Sequence, residues 1–144
     1  MLTSAEENKA LARRSWELVN QRTFDALEEV YAADAAIHEP DRDFQSLEEA
    51  KQYIGTYFDA FPDLHFTIED VIAEGDQAVS RWTLRGTHQG EIEELGPPTG
   101  RQFELEGITI HRIEDGRIAE EWERYDNLSF LQQLGLVPNE EAAG

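Results

Sequence analysis

The stretch that decides the fold is QFELEGITIHRIEDGRIAEEWERYD, residues 102–126. Apolar and polar side chains alternate on both sides of Asp115 and Gly116, which is typical of two strands joined by a hairpin. An Asp-Gly pair readily adopts the positive φ angles of a two-residue type I′ turn. The sequence therefore predicts antiparallel strands over residues 102–113 and 117–125.

The same alternation is present earlier in the chain, over residues 65–73 and 78–88, with EGDQ (residues 74–77) as the connecting turn. The next connection, QGEIEELGPPTGR (residues 89–101), is too long and too rich in Gly and Pro for a tight hairpin. It predicts a loop that covers part of the molecule.

Helical spacing dominates the other parts of the chain. Apolar residues recur at intervals of three and four within residues 3–20, 24–31 and 47–61, and Ser4 and Ser46 are each followed three positions later by a glutamate, as in a capping box. Residues 35–41 predict a short extended segment that ends at Pro40, and residues 128–134 a last helix before a loose tail over 138–144. We expect one α+β domain, residues 1–144, with helices on one face of a curved antiparallel sheet.

Composition excludes several functional classes. The formal net charge of −19 disfavours nucleic acid and anionic membranes, and the absence of cysteine excludes disulfides and thiolate chemistry. No apolar run reaches the length of a membrane span or a secretory signal, so we expect a cytoplasmic protein. The acidity fits either a salt-rich cytoplasm or an ordinary acidic protein.

The hairpin also predicts which side chains point inward. With the turn at Asp115 and Gly116, residues whose numbers sum to 231 face each other across the two strands. One face then collects Phe103, Leu105, Thr109, His111, Ile113, Ile118, Trp122 and Asp126. Glu121 and Glu123 fall on the opposite face, and a bulge of one residue would reverse the assignment.

In this register Asp126 points inward, next to Leu105. Apolar surroundings raise the pKa of a carboxyl group, and a carboxyl group so tuned can take and return a proton. Alternatively, Asp126 caps the last helix by accepting a backbone N–H.

Several stretches together resemble the SnoaL-like polyketide cyclases, or ester cyclases, of the nuclear transport factor 2-like superfamily. The resemblance covers nearly the whole chain and includes YAADAAIHEP, FPDLHFTIEDVIAEGDQAVSRWTLRGTHQG and LQQLG. It implies a cone-shaped α+β fold around one pocket, and ring closure of a polyketide by an intramolecular aldol reaction without metal or cofactor. The aspartate of a Trp-x-x-x-Asp motif serves the family as acid and base, which here implies Asp126 after Trp122.

The expected activity is thus that of a cyclase or isomerase acting on a small hydrophobic carbonyl compound. Besides Asp126 as the catalytic residue, we expect a set of ring-bearing side chains to bind the substrate: His38, Tyr57, Phe58, Trp82, His88, His111 and Trp122. No metal is expected, because no helix carries paired histidines at metal-binding spacing, and the resemblance implies that no cofactor is needed.

Two other functions fit the same pattern. Asp126 would activate a water molecule in an epoxide-hydrolase-like enzyme, and a carrier of small ligands would use the pocket without proton transfer. We also expect a homodimer that forms through the sheet face carrying Ile108 and Ile110.

Overall fold

The computed structural model describes residues 3–138, so residues 139–144 of the predicted tail lie outside the described part. The α+β class predicted from the sequence is confirmed by the order of elements: α1 (Ala5–Asn20), a 3₁₀ helix (Phe24–Glu29), β1 (Tyr31–Glu39), β2 (Arg42–Phe44), α2 (Leu47–Ala60), β3 (His65–Glu74), β4 (Gln77–Thr87), β5 (Gln102–Glu114), β6 (Arg117–Tyr125) and α3 (Asn127–Gln133). Within residues 3–138, no helix combines the length and the apolar character needed to cross a membrane.

All six strands form one open sheet in the order β2-β1-β6-β5-β4-β3. Strands β3 to β6 make the predicted antiparallel meander, but β1 lies parallel to β6, so the sheet is mixed. Turn residues indicate only pairings between consecutive strands. No local pattern therefore indicated the pairing between the first strand and the last, or the three-residue β2.

Local signals account for most of the element boundaries. Asp115 and Gly116 have φ angles of 53° and 78°, as the predicted turn requires, and the predicted capping box at Ser4 is present with both of its hydrogen bonds. The helix predicted over residues 24–31 is instead a 3₁₀ helix that ends at Glu29. It has no side-chain cap at its start, and Tyr31 already belongs to β1.

A β-bulge in β6 changes the predicted register. Ile113 faces Ile118 as expected, but Arg112 faces Glu120, which leaves Ala119 as an extra residue on β6. Beyond this bulge the facing residues sum to 232, so each β6 side chain points to the opposite side of the sheet from the one predicted, while the β5 side chains keep their predicted orientation. The inward orientation predicted for Trp122 and Asp126 is therefore wrong, and the inward residues are Glu121, Glu123 and Tyr125.

The core forms where the helices cover the inner face of the sheet. On α1, the ring of Trp16 lies 4.8 Å from that of Phe66 and its indole N–H donates to Ser80 Oγ at 3.0 Å. The Trp82 ring, on β4, lies 5.2 Å from Phe66 on the neighbouring strand. These contacts form one side of the space between the helices and the sheet.

Candidate active site

Two adjoining cavities lie between the helices and the inner face of the sheet. The first has an empty volume of about 550 Å³, counting its open mouth, and aromatic and aliphatic side chains form most of its wall. The second, of about 530 Å³, reaches toward α1 and the start of β1. The residues that line both cavities are Glu39, Tyr53, Ile54 and Glu123, so two carboxyl groups stand where the cavities meet.

A tryptophan and a glycine shape the wall of the first cavity. Trp82 is buried, and its indole N–H donates to Thr109 Oγ1 at 2.9 Å. Gly107 faces Trp82 across the strands, and a Cβ at this position would lie 2.4 Å from the ring. The absence of a side chain at Gly107 therefore lets the indole approach the backbone of β5 closely.

Sheet pairing brings the two carboxyl groups together. Strand β1 runs parallel to β6 with Ile37 beside Glu121, so continuation of this register places Glu39 beside Glu123. The two carboxyl groups act on each other: Glu123 lowers the pKa of Glu39, whereas Glu39 raises the pKa of Glu123. The site thus holds two neighbouring carboxyl groups of different proton affinity.

Burial raises the proton affinity of both carboxyl groups. Burial raises the pKa of Glu39 to about 7, and the nearby charge of Glu121 acts in the same direction. Burial also raises the pKa of Glu123 well above its ordinary value, with the charges of Glu39 and Glu121 adding to the effect. A carboxyl group that titrates near neutral pH can both accept and return a proton there.

Three tyrosines complete the polar part of the first cavity. Tyr53, Tyr57 and Tyr125 line it, and burial raises the pKa of all three phenols. The phenols therefore stay protonated at neutral pH and can donate hydrogen bonds. Such donors stabilise negative charge that develops on a substrate oxygen.

Asp126, the predicted catalytic residue, lies elsewhere. It is exposed at the start of α3, where its Oδ1 accepts the backbone N–H of Ser129 at 2.9 Å, and it lines neither cavity. The capping interpretation is thus confirmed, whereas the predicted inward position is wrong because of the β6 bulge. Its catalytic role stays a prediction.

The predicted substrate-binding residues separate into three groups. Trp82 and Tyr57 line the first cavity. Phe58, His88 and His111 are buried but do not line either cavity: Phe58 packs beside the 3₁₀ helix, and His88 Nδ1 accepts the backbone N–H of a loop residue at 3.2 Å. His111 lies behind the second cavity, with Nε2 2.7 Å from a carboxylate oxygen of β6.

His38 and Trp122 form the third group, on the outer face of the sheet. The His38 ring stacks on Trp122 at 5.7 Å, and its two nitrogens lie 2.7 Å from Asp43 Oδ1 and 2.8 Å from Glu120 Oε2. These hydrogen bonds raise the pKa of His38. Both side chains point away from the cavities, and their predicted contact with substrate stays untested.

Sequence reasoning missed the carboxyl pair. The prediction placed Glu123 on the solvent side, and Glu39 carried no role of its own beside His38. A period-two pattern could have found Glu123 only if the bulge at Ala119 had been known, and nothing in the residue types marks that bulge.

The family model for SnoaL-like polyketide cyclases matches residues 9–134. This chain belongs to the SnoaL-like polyketide cyclase family. The match includes every strand and all of the residues that line the two cavities. No curated protein sequence matches this SnoaL-like chain.

Solved structures agree with this membership. IdmH from Streptomyces antibioticus, a proposed polyketide cyclase, is 33% identical to this SnoaL-like chain, with a TM-score of 0.76 over 88% of this chain and 96% of IdmH. TsrD from Streptomyces laurentii is 27% identical, with a TM-score of 0.83 over 94% and 99% of the two chains. AclR from Streptomyces galilaeus, a proposed hydroxylase, is 26% identical, with a TM-score of 0.80 over 94% and 100%.

Proposed function

We propose that this protein is a cofactor-independent cyclase or isomerase of a small hydrophobic carbonyl compound, with Glu39 and Glu123 as its proton-transfer groups. The observation that carries the proposal is the pair of neighbouring carboxyl groups, Glu39 and Glu123, that line a cavity with aromatic walls. The pair supplies an acid and a base close to neutral pH, so the proton transfers need no further group.

The reaction follows from the chemistry of the pair. Glu39 removes a proton from a carbon next to a carbonyl group, and the electron pair of that C–H bond becomes an enolate. A hydrogen bond from Glu123 or a phenol stabilises the enolate oxygen. In a cyclase the enolate carbon then forms a bond to a second carbonyl carbon of the same molecule, and the resulting alkoxide recovers the proton from Glu39. In an isomerase the proton returns to another carbon.

The walls of the first cavity favour a flexible apolar substrate. Aromatic side chains in its wall, among them Trp82, Phe66 and Tyr57, hold such a molecule by contact area rather than by charge. A cavity that holds the two carbonyl groups of one molecule close together removes much of the entropic barrier to ring closure.

Deuterium exchange at the α-carbon of 2-tetralone tests the first step directly. This ketone is small, apolar and enolisable, and its exchange in D₂O is followed by proton NMR without knowledge of the natural substrate. The native protein should accelerate exchange, and Glu39→Gln and Glu123→Gln should each lower the rate by roughly 10²- to 10⁴-fold. The exposed Glu106→Gln is the matched control and should leave the rate unchanged.

The same assay separates the alternatives. Loss of exchange in Asp126→Asn but not in Glu39→Gln would return the catalytic role to Asp126 and refute the carboxyl pair. Saturable quenching of tryptophan fluorescence by 2-tetralone without any exchange would instead favour the carrier function, because Trp82 lines the cavity.

We also propose a homodimer that forms through the outer face of the sheet. A row of outward side chains crosses this face from strand to strand: Ile72, Val79, Ile110, Trp122 and His38. The neighbouring Ile108 is 39% exposed. Light scattering should show that Ile110→Glu dissociates the dimer, whereas Leu128→Glu, on exposed α3, leaves it intact; a monomeric native protein would refute the proposal.

A further inference from the structure

A second set of buried polar side chains adjoins the carboxyl pair at the second cavity, which Tyr31 and Glu121 line together with Glu39 and Glu123. His111 Nε2 lies 2.7 Å from Glu121 Oε1, and the Tyr31 hydroxyl donates to the same oxygen. Tyr31, His111 and Glu121 are 8%, 0% and 5% exposed. Glu121 therefore receives two hydrogen bonds from side chains that are shielded from water, which is the environment of a stable carboxylate.

Hydrogen bonds lower the pKa of Glu121. Burial alone would raise the pKa of Glu121, but the hydrogen bond and charge interaction with His111, together with hydrogen bonds from the Tyr31 hydroxyl and from Glu123, outweigh burial and lower it. Glu123, two residues later on the same face of β6, receives no such donors and keeps its proton. Three neighbouring carboxyl groups thus differ in protonation because their hydrogen-bond donors differ.

The other charged groups near this set have partners of their own or act on Glu39. Lys51 lines the second cavity, but its amine lies 3.4 to 3.9 Å from three exposed carboxylates, which are its ion-pair partners. Asp41 and Arg42, after β1, act on Glu39 with opposite signs. The polar side chains that line the second cavity are Ser15 and Trp16 from α1, Tyr31 and Glu39 from β1, Lys51 and Tyr53 from α2, and Glu121 and Glu123 from β6.

We propose that Tyr31 and His111 are positioning residues that keep Glu121 ionised, so that the charge of Glu121 holds one proton on the neighbouring pair of Glu39 and Glu123. The carboxylate of Glu121 repels a second negative charge on the pair, which keeps an acid available beside the base. This inference rests on the proposed role of Glu39 and Glu123. It concerns the protonation state of the pair, which can be measured without turnover.

A purely structural role would give different results. If the three side chains only joined β1, β5 and β6, their replacement would lower stability and leave the titration of the pair unchanged. If instead they keep a proton on the pair, removing the charge of Glu121 must lower the pKa of the pair. Removing the donors must act in the same direction, because Glu121 would then take up a proton and lose its charge.

Carbon-13 NMR of protein labelled at the glutamate carboxyl carbons measures this titration. Glu39→Gln and Glu123→Gln identify the signals of the pair, and Glu121→Gln removes the charge with little change of shape. We expect the midpoint of the pair to move by about one pH unit toward acid in Glu121→Gln. Tyr31→Phe and His111→Leu should shift it in the same direction, and His111→Gln, which retains an N–H donor, should shift it less than His111→Leu.

An unchanged midpoint in Glu121→Gln, or a shift toward alkaline pH, would overturn the inference. Glu121→Gln and Tyr31→Phe keep the test valid if His111→Leu does not fold. The two proposals fail separately: the expected shifts without exchange of 2-tetralone would refute only the proposed function, whereas exchange that depends on Glu39, together with an unshifted midpoint, would refute only this inference.

Discussion

Replacement of Glu39 by glutamine should change how the stability of the protein depends on pH. Burial raises the pKa of Glu39 from its ordinary value of 4.5 to about 7. Between these values the folded state holds a proton that the unfolded chain releases. Glu39 therefore favours folding most below about pH 4.5, and this contribution is lost as the pH rises to about 7.

The size of the effect follows from the two pKa values. With about 1.4 kcal/mol for each unit between 4.5 and about 7, the full change in the free energy of unfolding is about 3 kcal/mol. The sequence pI of 4.4 makes the lower limit impractical to measure. Between about pH 5.5 and 8.5, linkage assigns about 2 kcal/mol to Glu39.

Urea unfolding of the native protein and Glu39→Gln at several pH values measures this difference. Groups that do not interact with Glu39 cancel between the two proteins, so the contribution of Glu39 itself should increase the stability of Glu39→Gln relative to the native protein by about 2 kcal/mol from pH 5.5 to 8.5. Glu106→Gln, which removes an exposed carboxylate, should show little change over the same range. A flat difference for Glu39→Gln would refute the argument that Glu39 is buried beside other carboxyl groups.

Two further predictions concern the wall of the cavity and the start of α3. Gly107→Ala places a methyl group against the Trp82 ring and should lower the free energy of unfolding by about 1–3 kcal/mol. Gly55→Ala, in an open position on α2, should raise the free energy of unfolding by about 0.5–1 kcal/mol. Denaturant unfolding of both variants measures these changes. Asp126→Ala removes the cap of α3 and should cost about 1 kcal/mol in the same assay, while Asp126→Asn, which can still accept the N–H, should cost less; equal losses would argue against the cap.

The strands and helices were predictable because their signals are local. The alternation over residues 102–125 and the turn at Asp115 and Gly116 define β5 and β6 without reference to the rest of the chain. The capping box at Ser4 likewise marks the start of α1. The pairing of β1 with β6 was not predictable, since it depends on the packing of the whole sheet.

The candidate site shows where local reasoning ends. Trp82 and Tyr57 were expected at the cavity because large rings in amphipathic elements point inward, and both line it. Glu123 was assigned to the solvent side because a period of two was extended past Ala119. One extra residue in β6 exchanged Trp122 and Glu123 between the two faces of the sheet.

By itself, the sequence determined the α+β class and the positions of most helices and strands. It also determined an acidic chain whose candidate proton-transfer groups are carboxyl, phenol and imidazole groups. These properties depend on side-chain periodicity and composition, which act over a few residues. Only the tertiary structure decided which carboxyl groups meet. Glu39 and Glu123 lie more than eighty positions apart in the chain, and their contact requires both the parallel pairing of β1 with β6 and the bulge at Ala119. The free energy that buries them comes from the packing of the whole core, which no short stretch of sequence contains.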